Sequence, residues 1–137
     1  MGDLAEVMGE LKMAADYIHT IEDDLIEILD TFNFPVDRQG SYQKGQPYPD
    51  TFITFWTDTE DSGHYDDFAS TTVWHFDVNV YSTNPDTVIR TILAVKSALE
   101  NAGFTVNGKG SDAASDYATH TGKMIDVWFM EHNKYND

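Results

Sequence analysis

Two short clusters in the 137-residue chain have the character of metal ligands: His64 with Asp66 and Asp67, and His75 with Asp77. Side chains two apart on a β-strand share a face, so the imidazole of His75 and the carboxylate of Asp77 could converge on one ion. Spacing places no third histidine or glutamate beside them, and such pairs are common by chance on solvent-facing strands. The expectation is a polar strand face with no resident metal, and a hydrated hairpin around His64. Asp58-Thr59-Glu60-Asp61-Ser62-Gly63 partly follows a calcium loop, with Asp58, Glu60, Ser62 and Gly63 at the first, third, fifth and sixth positions. The twelfth position, which needs a bidentate glutamate, is Ala69, so no EF-hand is present.

Gly108-Lys109-Gly110-Ser111 invites a phosphate-loop reading. Four residues separate Gly103 from Gly108, but Lys109 is followed by Gly110 where that loop needs Ser or Thr. A flexible loop between strands is the better account. Ser, His and Asp all occur, yet no nucleophile elbow arranges them as a triad. Carboxylate pairs are everywhere in so acidic a chain, and none is singled out. The residues predict no catalyst and no cofactor.

Charge narrows the class further. The chain holds 24 Asp+Glu against 8 Lys+Arg, a formal net charge of −16 with a pI near 4.3. Phosphate backbones are bound by clustered Lys and Arg, and here the basic residues are scattered singly. Sequence-independent nucleic-acid binding and docking on anionic lipid are therefore not expected. Cysteine is absent, which excludes a disulfide framework, a thiolate zinc site and a cysteine nucleophile. With 41% apolar and 13% aromatic residues the chain can bury a real core, and its length fits one domain. No apolar run approaches ~18 residues, and Met1-Gly2-Asp3-Leu4-Ala5-Glu6 lacks the basic and apolar regions of a secretory signal. A soluble domain made in the cytosol is expected.

The elements that must position these residues follow from periodicity. Leu4, Val7, Leu11, Ala14, Ile18, Ile21, Leu25, Ile28 and Phe32 recur at steps of three and four, a heptad stripe. Asp3 with Glu6 makes a capping box, and Asn33-Phe34-Pro35 stops the helix. Thr20 with Asp23 could cap a second helix, so one long helix and two shorter ones both fit. Nine acids against Lys12 leave this stretch at −8, either a solvated face or an electronegative surface for a partner. Its apolar stripe fits packing on its own sheet better than on another subunit.

A weak strand is expected near 35–42, then Thr51 to Trp56, with the acidic residues 57–67 as a hairpin connection. Thr72 to Tyr81 alternates, with Trp74, Phe76, Val78 and Val80 on one face and His75, Asp77 and Asn79 on the other. Asn84-Pro85-Asp86 opens a helix whose stripe is Val88, Ile92, Val95, Leu99 and Ala102, closed by Gly103. A short strand at 104–106, a loop to about Thr121, an apolar strand from Met124 to Met130 and a frayed tail complete the chain. Trp74 and Trp128 fall within strand patterns and are expected in the core. The fold class is α+β: a largely antiparallel mixed sheet with helices on one face, preceded by a long acidic N-terminal helix (residues 1–33, then a body over 35–131 and a tail over 132–137).

Pro49-Asp50-Thr51-Phe52-Ile53-Thr54-Phe55-Trp56, His64-Tyr65-Asp66-Asp67 and Val73-Trp74-His75-Phe76-Asp77-Val78-Asn79-Val80-Tyr81-Ser82 resemble segments of small structural proteins of long-tailed bacteriophages and prophages. The stretches Gly103 to Gly110 and Thr119 to Gly122 add to the likeness. Among these, the chain is most similar to tail-terminator, tail-completion or minor tail proteins, over roughly residues 35–131. The acidic helical segment before Asn33 departs from that pattern, where one shorter helix is expected. The resemblance implies a protomer that assembles as a ring, usually a hexamer, capping the tail tube at the head–tail junction. It implies tail-tube and connector proteins as partners, passage of DNA without specific binding, no enzymatic activity, no cofactor, and a place in the virion tail or neck after synthesis in the host cytoplasm.

A ring needs contacts, and loops are their natural source. Glu60, His64, Tyr65 and Asp67 are the candidates from the 57–67 hairpin, and Lys109, Asp112, Tyr117 and His120 from the 107–121 loop. Ordinary loops would carry the same residues. Two other functions compete with the ring: an acidic DNA mimic that occupies the basic groove of a nuclease or DNA-binding protein, and a metal-dependent enzyme using His75 and Asp77.

Overall fold

The computed structural model describes residues 18–39, 47–65, 68–115 and 118–132. Helix α1 (Ile21–Asp30) starts at Thr20 for a local reason. The Thr20 hydroxyl accepts the backbone N–H of Asp23 at 3.3 Å, and the Asp23 carboxylate accepts that of Thr20 at 2.8 Å. This reciprocal capping box satisfies two otherwise orphaned donors. A helix capped by Thr20 and Asp23 is what one of the two sequence readings expected. The longer helix anticipated before it, with the Asp3 cap, falls on residues 1–17, outside the described residues. Ile21, Leu25 and Leu29 form the buried edge of α1.

Strands β1 (Val36–Arg38), β2 (Thr51–Tyr65), β3 (Phe68–Ser82), β4 (Thr105–Ala113) and β5 (Thr121–His132) form one sheet in the order β1-β2-β3-β5-β4. β1 runs parallel to β2, and every other pairing is antiparallel. Helix α2 (Pro85–Asn101) crosses between β3 and β4. Asn84 caps it through the N–H of Asp86 at 3.0 Å, with Pro85 in the first turn. At its end Gly103 adopts φ 95°, and the Phe104 N–H returns to the Leu99 carbonyl at 3.0 Å, a Schellman closure. The architecture is α+β, a five-stranded mixed sheet with both helices on one face.

Register decides which side chains meet. Ile53 lies opposite Val80, Phe55 opposite Val78, Val78 opposite Ile125 and Phe76 opposite Val127. These residues, with Leu25 and Leu29 from α1 and Ile92, Val95 and Leu99 from α2, make the core. Glu22 ties α1 to the sheet by an ion pair with Arg38 and by accepting the Thr57 hydroxyl at 2.6 Å. No helix of the described residues is long and apolar enough to cross a membrane.

Four expectations need correction. Residues 57–65 are strand, not connection: β2 and β3 stay in register to Tyr65 opposite Phe68. A two-stranded ribbon pairs its backbone groups whatever its side chains, so acidic residues on alternate positions do not end it. The 107–121 loop is shortened in the same way, because β4 continues to Ala113 through a register shift between Asn107 and Ser111. Gly108 and Gly110 sit there at φ 76° and 104°, so Gly108-Lys109-Gly110 is a β-bulge rather than a flexible loop. β5 also exceeds its expected bounds at both ends. Trp128 is the fourth correction: its partner in β3 is His75, which puts it on the face opposite the core.

Candidate functional site

The face of the sheet turned away from the helices carries the only three-residue grouping of potential metal ligands among the described residues. Two cross-strand rows define it. Asp58 of β2, His75 of β3 and Trp128 of β5 lie side by side, and one step along come Trp56, Asp77 and Asp126. The register therefore adds Asp126 to the His75–Asp77 pair that spacing alone had identified. Asp126 is the single acid within the apolar run from Met124 to Met130, and that break in pattern was its only signal in the sequence.

His75 Nε2 is 3.4 Å from Asp126 Oδ1 and 3.6 Å from Asp77 Oδ1. Its ring stacks on Trp128 with centroids 4.8 Å apart and planes 19° from parallel, which holds the imidazole edge toward the two carboxylates. Burial pushes the Asp77 carboxyl above its ordinary value, and the neighbouring Asp126, hydrogen-bonded to it, pushes the same way. The His75 ring opposes this rise, and Asp58 adds to it. Below these rows the face closes over. Asn79 and Thr54 are buried and joined by an Asn79 amide donating to the Thr54 hydroxyl at 3.3 Å. Beyond them Phe52 stacks on Tyr81 at 5.1 Å, and a Cβ at Gly122 would come within 2.5 Å of the Tyr81 ring.

Among the described residues, two large apolar side chains stay in solvent on this face, Trp56 at 54% and Met130 at 59% exposure. A hollow of about 400 Å³ beside Met130 is lined by Val73, Gly103, Thr105, Trp128 and Phe129. A second, of about 430 Å³, lies against Trp56, Asp58, Glu22 and Arg38.

The expected contact residues divide between opposite ends of β3. Glu60 is exposed near the hairpin end, where His64 pairs with Ala69 and Tyr65 with Phe68 along the backbone. Lys109 is exposed at the bulge, and Asp112 holds an ion pair with Lys123 that keeps its carboxyl below the ordinary range. His120 is half-buried, its Nε2 2.8 Å from the Pro49 carbonyl and its ring against Tyr48 and Phe52. It helps close the sheet's far end. Asp67 and Tyr117 lie outside the described residues. Thr71 of β3 pairs with His132 and Ser82 with Thr121, so Glu60, His64 and Tyr65 sit toward one end of the sheet and Asp112 and His120 toward the other, without converging.

The Asp77–Asp126 pair makes a measurable prediction. A raised carboxyl value means that the folded state holds the proton more tightly than the unfolded chain does. Its stabilisation is complete below the unfolded value and is lost as pH rises through the folded one. Asp77→Asn, compared with the parent in the presence of a chelator, should flatten that loss. At pH 7 it should be more stable by about 0.2–1 kcal/mol, the scale of a directly opposed cross-strand charge pair. Urea unfolding across the acidic range checks this, and a variant less stable than the parent at pH 7 would refute it.

Compared with protein-family models, the sequence matches none, and no curated protein matches it at a significant level.

Proposed function

We propose that the chain is a structural subunit of a long-tailed phage or prophage tail, closing as a ring at the end of the tail tube and letting DNA pass. The observation that carries this reading is the distribution of surfaces along one sheet. Among the described residues, from His64 onward β2 and β3 pair only with each other, so the hairpin runs past the row of His132, the last described residue of β5. Ala113 and Thr121, where β4 ends and β5 begins, lie at the other end, and the exposed Trp56 and Met130 stand between, on either side of the His75 row. A closed ring needs two different complementary surfaces on each protomer, and separate ends supply them. With a formal charge of −16 and basic residues scattered singly, a ring of such subunits repels phosphate instead of gripping it.

Six copies are the expected assembly, with tail-tube and connector proteins as neighbours and the virion tail or neck as the location. Native mass measurement and light scattering at high protein concentration test it. A ring is expected, and Tyr65→Ala with Tyr117→Ala should weaken it while leaving the circular dichroism unchanged. A strict monomer overturns the reading. A monomer that binds a cationic nuclease and releases it in modest salt would replace it with the DNA-mimic function.

A further inference from the structure

We propose that His75, Asp77 and Asp126 form a site for a divalent transition ion of the zinc or manganese type on the open face of the sheet. The inference is independent of the ring reading, since all three ligands come from one chain. Two donors bound about 2.1 Å from a common ion at a tetrahedral angle lie about 3.4 Å apart. The two imidazole–carboxylate separations, 3.4 and 3.6 Å, have that length. The 3.4 Å contact is a long hydrogen bond and the 3.6 Å one lies beyond hydrogen-bond reach, so a shared ion could take the place of both without moving the ligands far. The three ligand atoms all lie within 4.8 Å of one another.

The scaffold is rigid where it matters. The ligands stand on two central strands, with Asp77 directly opposite Asp126 and His75 opposite Trp128. Stacking on Trp128 removes most of the ring's freedom before any ion arrives. Asp77 and Asp126 stand directly opposite each other, and two carboxylates side by side repel. A dication between them relieves that cost. One nitrogen and two oxygen donors suit Zn²⁺ or Mn²⁺; Ca²⁺ and Mg²⁺ prefer all-oxygen sets. All three side chains reach solvent, so a remaining coordination position faces outward, toward water or a carboxylate from a neighbouring molecule.

The test uses the full chain, stripped with EDTA and returned to a non-chelating buffer, with Zn²⁺ alone as the probe. Calorimetric titration should show one ion per chain. His75→Gln, Asp77→Asn and Asp126→Asn should each weaken binding by at least about tenfold, with unchanged circular dichroism. His19→Gln should leave it unaltered, although His19 contacts Asp24 at 2.8 Å and offers the competing exposed pair. In the unsubstituted protein, Zn²⁺ should shift the His75 imidazole resonances in NMR spectra, a readout that needs no variant. Absence of binding, binding indifferent to all three substitutions, or binding lost with His19→Gln would each overturn the site.

Discussion

Phe76→Ala is expected to lower the stability of the fold by about 3–5 kcal/mol, the cost of emptying an aromatic site in a packed core. Phe76 is fully buried at the middle of β3, opposite Thr57 on one side and Val127 on the other. Its ring stacks on Trp74 at 6.1 Å and meets Phe104 at 6.3 Å. Neither neighbour can collapse into the space. Trp74 is held by its indole N–H donating to Glu131 at 3.2 Å, and Phe104 by the backbone closure of α2. Domains of this kind have a net stability of only about 5–15 kcal/mol, so the variant should sit near the edge of folding. The urea midpoint should fall with little change in slope, at one fixed protein concentration, because assembly would couple to unfolding. A loss below about 1 kcal/mol would mean that the core can relax around β3, against the packing described.

Leu25→Ala should cost about 2–5 kcal/mol, and it tests a different relationship. A ten-residue helix is too short to persist by itself in water. α1 is helical because Ile21, Leu25 and Leu29 are buried against the core and Glu22 holds Arg38 and Thr57. Removing the fully buried Leu25 weakens that docking. Hydrogen exchange should show the amides of α1 losing protection before those of β3 and β5, as local opening of one unit. If exchange and stability are both unchanged, the apolar stripe of this helix serves another molecule instead of its own sheet.

That second outcome was open in the sequence, where a heptad stripe favours its own sheet but allows either use. The strands divide in a similar way. Alternation from Trp74 to Val80 identified the buried face of β3, and the signals at Asn84-Pro85 and Gly103 bounded α2, because both depend on residues a few positions apart. Residues 57–65 and 107–113 were legible only as polar and glycine-rich, and they are strands. Their order comes from a partner strand that supplies backbone hydrogen bonds, which side-chain composition does not encode. Trp128 was misassigned for the same reason, since a strand apolar on both faces does not say which one meets the helices.

The same boundary runs through the candidate site. That His75 and Asp77 share a face follows from the two-residue period of any strand, and acidity with scattered bases follows from counting. By itself, the sequence determined the Asn84 cap and the Gly103 end of α2, the buried face of β3, the polarity of its other face and the net acidity. Tertiary structure alone decided that Asp126, forty-nine residues beyond Asp77, lies directly opposite it. It also decided that the Trp128 ring lies against His75, and that the two expected contact regions stand at opposite ends of the sheet. Caps and alternation are set by neighbours along the chain. Strand register is set by which distant segments bury their apolar faces together, and moving it by one residue would turn Asp126 into the core.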